Sequence, residues 1–303
     1  MATYVPGLEK LTVRNTGGTV SARYCYSVWL RHLVTAHENG LPASPEVVAE
    51  LGPGDSLGIG LAALLSGAEK LYALDLVRYA ADERNILIFD ELVELFSERE
   101  AIPNDDEFPK VKPHLGAYEF PSKVLTGECM NKVLSKDRVA GLRESLARMR
   151  SGEEGRISYF APWGDTDVIR QESVDMVFSQ AVLEHVENLE DTYRALNKWL
   201  KPGGFMSHQI DFKCHGTAEE WNGHWALGKL RWKLIKGRRR YLINREPLST
   251  HLGLMEKSGF EILCKKRIRN NSSVDRAALA PRFRDITDDD LNTSGAFVLA
   301  VKR

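Results

Sequence analysis

Residues 45–76 read PEVVAELGPGDSLGIGLAALLSGAEKLYALDL, and this stretch decides the fold. Its first apolar run predicts a strand over Val47–Leu51, and Gly52–Asp55 form a glycine-rich turn. A helix is predicted over Ser56–Ser66, followed by a second strand over Lys70–Leu76. A strand, a helix and a strand in this order make a βαβ unit, so the two strands are expected to be parallel.

Five further strands are predicted from apolar runs between turn signals. They lie at Arg156–Phe160, Val174–Ser179, Phe205–Phe212, Phe260–Lys266 and Ala296–Val301. With helical stretches between them, they indicate one α/β domain over residues 1–303. Residues 1–44 are interpreted as a helical N-terminal extension.

Two segments interrupt this alternation. Residues 85–150 hold helical stretches and four prolines but no obvious strand. We interpret them as an insertion that forms either a cap over the site or a helix pair that only covers a sheet face. Residues 213–247 form a second, polar insertion.

The composition is that of an ordinary globular protein, with 43% hydrophobic and 27% charged residues. Because 41 basic residues balance 42 acidic ones, neither a membrane nor nucleic acid is expected as a partner. A local patch of basic charge is still compatible with this balance. The four cysteines form no CxxC pair, which favours reduced thiols and a cytoplasmic location. No apolar stretch approaches the roughly 20 residues that span a bilayer. The sequence carries no signal for the oligomeric state.

The turn after the first strand has the features of a nucleoside site. Glycines let the backbone approach a ligand closely, and the following helix offers free N–H groups. Asp75 ends the next strand 21 residues after Gly54, where a carboxylate can accept hydrogen bonds from both ribose hydroxyls. Leu57 breaks the GxGxxG spacing of dinucleotide sites. The acidic Glu50 also disfavours a pyrophosphate and suits a cationic ligand.

Three ordered blocks resemble class I S-adenosylmethionine-dependent methyltransferases. Glu50–Ser56 resembles the first motif, with Ser56 where a third glycine is usual. Val174–Ser179, followed by Leu183-Glu184-His185-Val186, resembles the fourth strand of that family. Leu200–Gly204 resembles the turn before the fifth strand.

This resemblance implies a Rossmann-like sheet of seven mostly parallel strands, with helices on both faces and the last strand antiparallel. It also implies S-adenosylmethionine as the cofactor. Trp163 would stack near the adenine or be a plain core aromatic. The residues expected to bind the cofactor are Glu50, Gly52, Gly54, Ser56, Asp75, Trp163 and Ser179.

Methyl transfer to a hydroxyl needs an aligned acceptor and benefits from a base. His185 follows the fourth strand, and Asp211 and His215 follow the fifth, so all three approach the same carboxyl edge. We favour His215 as the base because Asp211, four residues earlier, can orient its ring. Glu184 and His185 could instead only cap and hydrogen-bond the strand end.

The acceptor is expected to be a small polar molecule methylated on oxygen, such as a sugar or a phosphorylated or other anionic metabolite. The segment Asp211–His215 resembles an element of bacterial methyltransferases encoded with surface-polysaccharide genes. Those proteins carry an Asn-Arg pair before the last helix, matched here by Asn244 and Arg245. With His208, these two are the predicted substrate-binding residues.

No metal is expected. In ubiquinone-type O-methyltransferases a similar Leu-Glu-His follows a further acid and supports a divalent metal, but Ala181 stands at that position here. His208, Asp211, His215 and His224 also lack tight ligand spacing.

Residues 226–245 contain eight Lys or Arg and no acid, with Trp221, Trp225 and Trp232 interleaved or close by. Three interpretations stay open: a solvated surface helix, a pocket for an anionic acceptor, or an RNA-binding face. The last would make the protein an RNA or protein methyltransferase. A further alternative is a non-catalytic module that binds the cofactor.

Overall fold

The structure is a computed structural model that describes residues 18–151, 155–239 and 241–303. The side chains of residues 150 and 151 are not described either. The first 17 residues of the predicted N-terminal extension lie outside the described residues.

Seven strands form one sheet in the order β3-β2-β1-β4-β5-β7-β6. β7 runs antiparallel to both of its neighbours, and the other paired strands are parallel. This confirms the predicted seven-stranded, mostly parallel α/β sheet. The strands are β1 Val47–Leu51, β2 Lys70–Leu74, β3 Ile157–Phe160, β4 Val174–Gln180, β5 Leu200–Asp211, β6 Phe260–Arg269 and β7 Thr293–Lys302.

The strand order reverses between β1 and β4, because the chain moves outward from β1 to β3 and then returns to the other side of β1. In open α/β sheets, ligands bind beyond the carboxyl ends of the strands at such a reversal. The topology therefore places the site where the turns after β1 and β4 meet.

Nine helices flank the sheet in the described part of the chain. Two short ones, at Gly127–Val133 and Asp288–Leu291, have no counterpart in the sequence prediction. The helices are α1 Ala22–Glu38, α2 Gly58–Leu65, α3 Asp82–Glu98, α4 Gly127–Val133, α5 Lys136–Ser151, α6 Leu189–Trp199, α7 Lys229–Lys236, α8 Leu248–Lys257 and α9 Asp288–Leu291.

One sheet face is covered by α1, α2, α3 and α5. Trp29 of α1, Leu64 of α2, Phe89 of α3 and Leu146 of α5 belong to the same buried cluster. Residues 22–38 are therefore integral to the core. The packing of α3 and α5 supports the alternative that residues 85–150 cover the sheet face, and a cap over the site stays a prediction.

The proline-containing stretch after α3 is fixed by a fully buried arginine. The Arg31 guanidinium donates to the carbonyl oxygens of Pro103, Val111 and Pro113, and it pairs with the Asp105 carboxylate at 2.8 Å. A buried charge is tolerated when its donors are satisfied in this way. The irregular backbone is thus tied to α1 without a strand or helix of its own.

The opposite sheet face is covered by α6 and α8. Asn188 caps α6, as predicted, by accepting a hydrogen bond from the Asp191 N–H. Tyr193 of α6 is fully buried and its hydroxyl lies 2.8 Å from Nδ1 of His251 in α8. The two helices are therefore joined by a polar contact inside an apolar layer.

The described helices include none with both the length and the apolar character needed to cross a bilayer. All four cysteines are free thiols.

Buried neutral histidines should make stability fall in mild acid. His32, His208, His224 and His251 are almost fully buried, and burial lowers the pKa of His32 to about 4 and those of the other three to about 3. The unfolded chain protonates them near the ordinary value of 6.5, so protons favour unfolding between about pH 6.5 and 4. We expect each to lower the free energy of unfolding by up to about 1.4 kcal/mol per pH unit there. Urea denaturation across this range measures the slope.

The matched control is His251→Gln, which removes one imidazole and keeps a hydrogen-bonding side chain next to Tyr193. Its free energy of unfolding should depend less steeply on pH, because about one proton fewer is taken up on unfolding. This holds whatever the stability of the variant at neutral pH. An equal slope in both proteins would mean that this histidine does not contribute.

Candidate active site

The turn after β1 is held in a conformation that glycine adopts easily. Gly52 and Gly54 have φ values of +63° and +75°. The Gly52 N–H donates to the Leu74 carbonyl at 2.7 Å, and a Cβ on Gly52 would lie 2.6 Å from Cγ2 of Val182. A side chain at position 52 would therefore clash with the segment that follows β4. The glycine brings the two turns into direct contact.

Glu50 lies beneath this turn and is almost fully buried. Its Oε2 accepts a hydrogen bond from the Gly60 N–H at 3.0 Å, which satisfies a free donor in the first turn of α2. Burial raises the pKa of Glu50 to about 8, so its carboxyl is mostly protonated at neutral pH. Whether Glu50 supplies negative charge to a bound cationic cofactor stays a prediction. Its contacts here are with the backbone that forms the site.

Two predicted serines have their hydroxyls engaged inside the protein. The Ser56 hydroxyl donates to the Thr19 carbonyl and accepts from the Gly58 N–H. The Ser179 hydroxyl lies 2.8 Å from Nδ1 of His208 on the neighbouring strand. Direct contact of either serine with a cofactor stays a prediction.

Asp75 follows β2, beside the glycine turn. Burial raises the pKa of Asp75, and this is opposed by hydrogen bonds that its carboxylate accepts from the Leu76 N–H, at 2.7 Å, and from the Gly54 N–H. The side chain is only partly buried, so it can still accept hydrogen bonds from a ligand. The sequence-predicted pairing of this acid with the glycine turn is present in the structure.

Trp163 reaches the same region through its backbone. Its N–H donates to the Asp75 carbonyl at 3.0 Å, while its ring packs against Trp199 at a centroid distance of 5.5 Å. This packing supports the interpretation of Trp163 as a core aromatic. Stacking on an adenine stays a prediction.

The chemistry of these groups fits S-adenosylmethionine. The Asp75 carboxylate is the acceptor that a ribose diol requires, and it stands next to a turn whose backbone a ligand can approach. An anionic side chain also suits the cationic sulfonium of this cofactor.

On the acceptor side, the turn after β4 meets the segment after β5. The rings of His185 and His215 lie 5.1 Å apart and nearly perpendicular. Nε2 of His215 lies 3.7 Å from Oδ2 of Asp211, beyond hydrogen-bond length but close enough for electrostatic attraction. The structure thus brings together the three residues that the sequence predicted to converge.

Both imidazoles are neutral at pH 7. Burial, and then the neighbouring His215, lower the pKa of His185 to about 4. Burial also lowers the pKa of His215, although 30% of its side chain stays exposed. His215 is the more reachable of the two for a molecule that enters from solvent.

Glu184 joins this group, and the sequence analysis left it, with His185, either as a candidate catalytic residue or as a residue that only caps the strand end. It is 2% exposed, and within the described structure neither carboxylate oxygen completes a hydrogen bond. Burial raises its pKa well above the ordinary value. Ligand atoms of Glu184, His185 and His215 all lie within 4.8 Å of one another, so these residues are chemically able to hold a divalent cation. The Leu-Glu-His motif was the available signal, but it does not say where each side chain points.

Asn244 holds the turn that carries these residues. Its side-chain amide donates to the carbonyl oxygens of Leu183 and Val186 at 2.8 and 2.9 Å. Its backbone N–H donates to the backbone carbonyl oxygen of Glu184 at 2.6 Å. Its contacts in the structure are therefore positioning contacts. Binding of an acceptor by Asn244 stays a prediction.

Arg245 is 7% exposed and has a left-handed φ of +72°. Its guanidinium donates to the carbonyl oxygens of His224 and Leu227, and it lies 4.2 Å from the centre of the Trp232 ring. Burial lowers its pKa to about 10. His208, the third predicted substrate residue, is fully buried within the sheet, so neither residue is exposed to an entering acceptor here.

A family model described as a methyltransferase domain matches residues 128–207, about a quarter of the chain. No curated protein matches the sequence.

Solved structures with similar folds include several methyltransferases. A putative sarcosine dimethylglycine methyltransferase from Galdieria sulphuraria is 12% identical, with a TM-score of 0.45 over 89% of this chain and 83% of that one. An S-adenosylmethionine-dependent methyltransferase from Mesorhizobium loti is 14% identical, with a TM-score of 0.41 over 86% and 91%. Phosphoethanolamine N-methyltransferase 2 from Haemonchus contortus is 14% identical, with a TM-score of 0.44, and this chain spans 52% of its length.

The sheet order and the glycine turn define an α/β protein with a nucleoside-cofactor site at its topological switch point. Together with the match to a methyltransferase domain over residues 128–207, the three motif blocks on β1, β4 and β5 indicate an S-adenosylmethionine-dependent methyltransferase. S-adenosylmethionine is its cofactor.

Replacing Asp75 with Ala should weaken binding of S-adenosylhomocysteine at least tenfold. The charged acceptor of the ribose hydroxyls is lost, and a hydrogen bond to a charged group contributes about 1.5–3 kcal/mol. Isothermal titration calorimetry measures the change. Asp191→Ala, at an exposed position on α6, is the control. Equal affinity in the wild type and Asp75→Ala would contradict the ribose assignment.

Proposed function

We propose that this methyltransferase acts on a hydroxyl of a small polar acceptor, which binds between the ends of β4 and β5. A sugar, a phosphorylated compound or another anionic metabolite is the expected class. The observation that carries the proposal is the grouping of His185, His215 and Asp211 beside the turn that contacts Gly52.

The contact between Val182 and Gly52 supports a short transfer distance. It joins the acceptor side to the cofactor side, because the glycine turn would border the methionine part of the cofactor. When bound, S-adenosylmethionine supplies the sulfonium methyl. The acceptor oxygen gains this methyl as the carbon–sulfur bond breaks, and S-adenosylhomocysteine leaves as a neutral thioether.

His215 is the proposed base for the hydroxyl proton. Its imidazole is neutral at pH 7, is partly exposed and has Asp211 nearby to stabilise the imidazolium that forms. His185 is more deeply buried, and besides the His215 ring it contacts the backbone of Tyr241 through a hydrogen bond. These differences favour His215 as the residue that contacts the acceptor.

An anionic acceptor has a cationic side chain close to this group. The Lys213 side chain is 48% exposed and lies 3.5 Å from the Asp211 carboxylate. Its ammonium can pair with a phosphate or carboxylate of the acceptor while Asp211 faces His215. This supports the anionic class over a neutral one.

Replacing His215 with Ala should lower kcat about 10²–10⁴-fold, the usual contribution of a general base, while leaving affinity for S-adenosylhomocysteine nearly unchanged. Turnover on a panel of sugars and phosphorylated metabolites, paired with calorimetry, measures both. His37→Ala, at an exposed position near the end of α1, is the control. If kcat survives His215→Ala and collapses in His185→Ala, the roles are reversed.

The same assay should be unaffected by EDTA, because proton transfer to an imidazole needs no metal. A loss of turnover that added divalent cation restores would contradict this route. That result would mean that His215 and Glu184 bind a metal ion, and that His215 does not act as the base.

As the pH is lowered, kcat should fall only below 6.5, the ordinary pKa of an imidazole. The neutral form of His215 is active, and burial lowers its pKa, so the acidic limb must move down with it. Steady-state rates from about pH 5 to 8 with saturating substrates test this. An acidic limb centred above 6.5 would exclude His215 as the group that titrates.

A further inference from the structure

The second insertion carries a helix with an outward apolar ridge. No residue of α7 is buried, and its Leu230 and Leu234 are 80% and 67% exposed. In the described part of the chain, these are the two most exposed large hydrophobic side chains. They are one helical turn apart and so lie on the same face of α7.

The opposite face of α7 is fixed to the protein. The Trp232 ring packs against the buried Arg245 guanidinium at 4.2 Å, and the Lys236 ammonium pairs with the Glu187 carboxylate at 2.6 Å. These contacts hold the helix with its leucines outward. The ridge is thus a defined surface of the folded protein.

Basic residues flank the ridge. Lys229 and Arg231 are exposed next to Leu230, and Arg238 is exposed just beyond the helix. The whole stretch 226–245 has no acidic residue. Leucines between exposed cations are typical of helices that lie in the interface of an anionic bilayer.

The tryptophans in and next to this segment do not form an RNA-stacking surface. Trp225 is fully buried with its indole N–H donating to the Arg245 carbonyl, and Trp232 packs against the Arg245 side chain. The Trp221 indole N–H donates to the Asn271 carbonyl. Stacking of bases needs exposed ring faces, whereas the most exposed apolar side chains here are leucines, and Tyr241 is the one aromatic of the described segment that is prominently exposed. Charge complementarity and the apolar ridge together favour a lipid surface.

The ridge belongs to the same segment as the acceptor site. Tyr241, which is 44% exposed, follows α7, and its backbone contacts His185. A surface that bound the ridge would therefore lie close to the acceptor side of the site.

We propose that α7 docks this protein on an anionic lipid bilayer, with Leu230 and Leu234 inserted among the lipids and Lys229, Arg231 and Arg238 on the head groups. The docking does not depend on which acceptor is methylated. It is a peripheral attachment through one helix face, which requires no spanning segment.

Flotation of the whole protein with vesicles tests the docking. One vesicle set is pure phosphatidylcholine, and the other also contains phosphatidylglycerol. We expect binding to the anionic vesicles that is at least tenfold tighter than to the neutral ones and that weakens with added salt. Equal or no binding to the two sets would overturn the proposal.

The double variant Leu230→Ser/Leu234→Ser separates insertion from charge. It should lose at least tenfold in affinity for anionic vesicles, with cofactor affinity and thermal stability unchanged because both side chains are exposed. Leu87→Ser, at a 65% exposed leucine on α3, is the matched control and should bind as the wild type does. Equal vesicle binding by the wild type and the double variant would contradict the insertion of the two leucines into the bilayer. So would tight binding of a single-stranded RNA oligonucleotide by protein that fails to bind vesicles.

Discussion

The contact between Gly52 and Val182 is the constraint on which the site depends. A parallel sheet that reverses its order between β1 and β4 leaves two adjacent turns at its carboxyl edge. Those turns meet only because position 52 has no side chain and can take a positive φ. The acid after β2 and the histidines after β4 and β5 are thereby carried to two sides of one small region.

Burial sets the electrostatics around this contact. The carboxyl groups of Glu50 and Glu184 are buried and favour the protonated form, and the buried imidazoles favour the neutral form. The carboxyl groups that stay partly exposed are Asp75 on the cofactor side and Asp211 on the acceptor side. This distribution suits a reaction in which a cationic methyl donor becomes neutral while a hydroxyl loses its proton.

The sequence was sufficient for the framework because the signals were local. Glycine turns, apolar runs and the Asn188 cap each depend on a few neighbouring residues, and β1 was predicted to the residue. β5 begins at Leu200, five residues earlier than predicted, because Leu200 already pairs with Val174, and regular pairing resumes at Phe205 after an irregularity that contains the Pro-Gly-Gly segment. The convergence of His185, His215 and Asp211 was also predictable, since it follows from strand ends sharing an edge.

Side-chain direction was not predictable in the same way. The acidic Glu50 is predicted to suit a cationic ligand, and the sequence does not reveal that its carboxyl accepts a hydrogen bond from the first turn of α2. Asn244 and Arg245 are predicted acceptor residues, and in the structure both side chains donate to backbone carbonyls, while Nε of Arg245 completes no hydrogen bond with the described residues. The balanced net charge argued against a membrane partner, but a total hides how charges are distributed, and residues 226–245 carry only basic ones.

The second insertion ties these observations together. Asn244 fixes the turn bearing Glu184 and His185, and the adjacent Arg245 fixes α7 through Trp232. Two neighbouring residues therefore connect the acceptor side to the exposed leucine ridge by short, direct contacts. A shift of α7 on a surface would reach the catalytic turn through these same contacts. The Asn-Arg pair can thus matter for turnover without touching the acceptor, because it sets where the turn stands relative to Gly52.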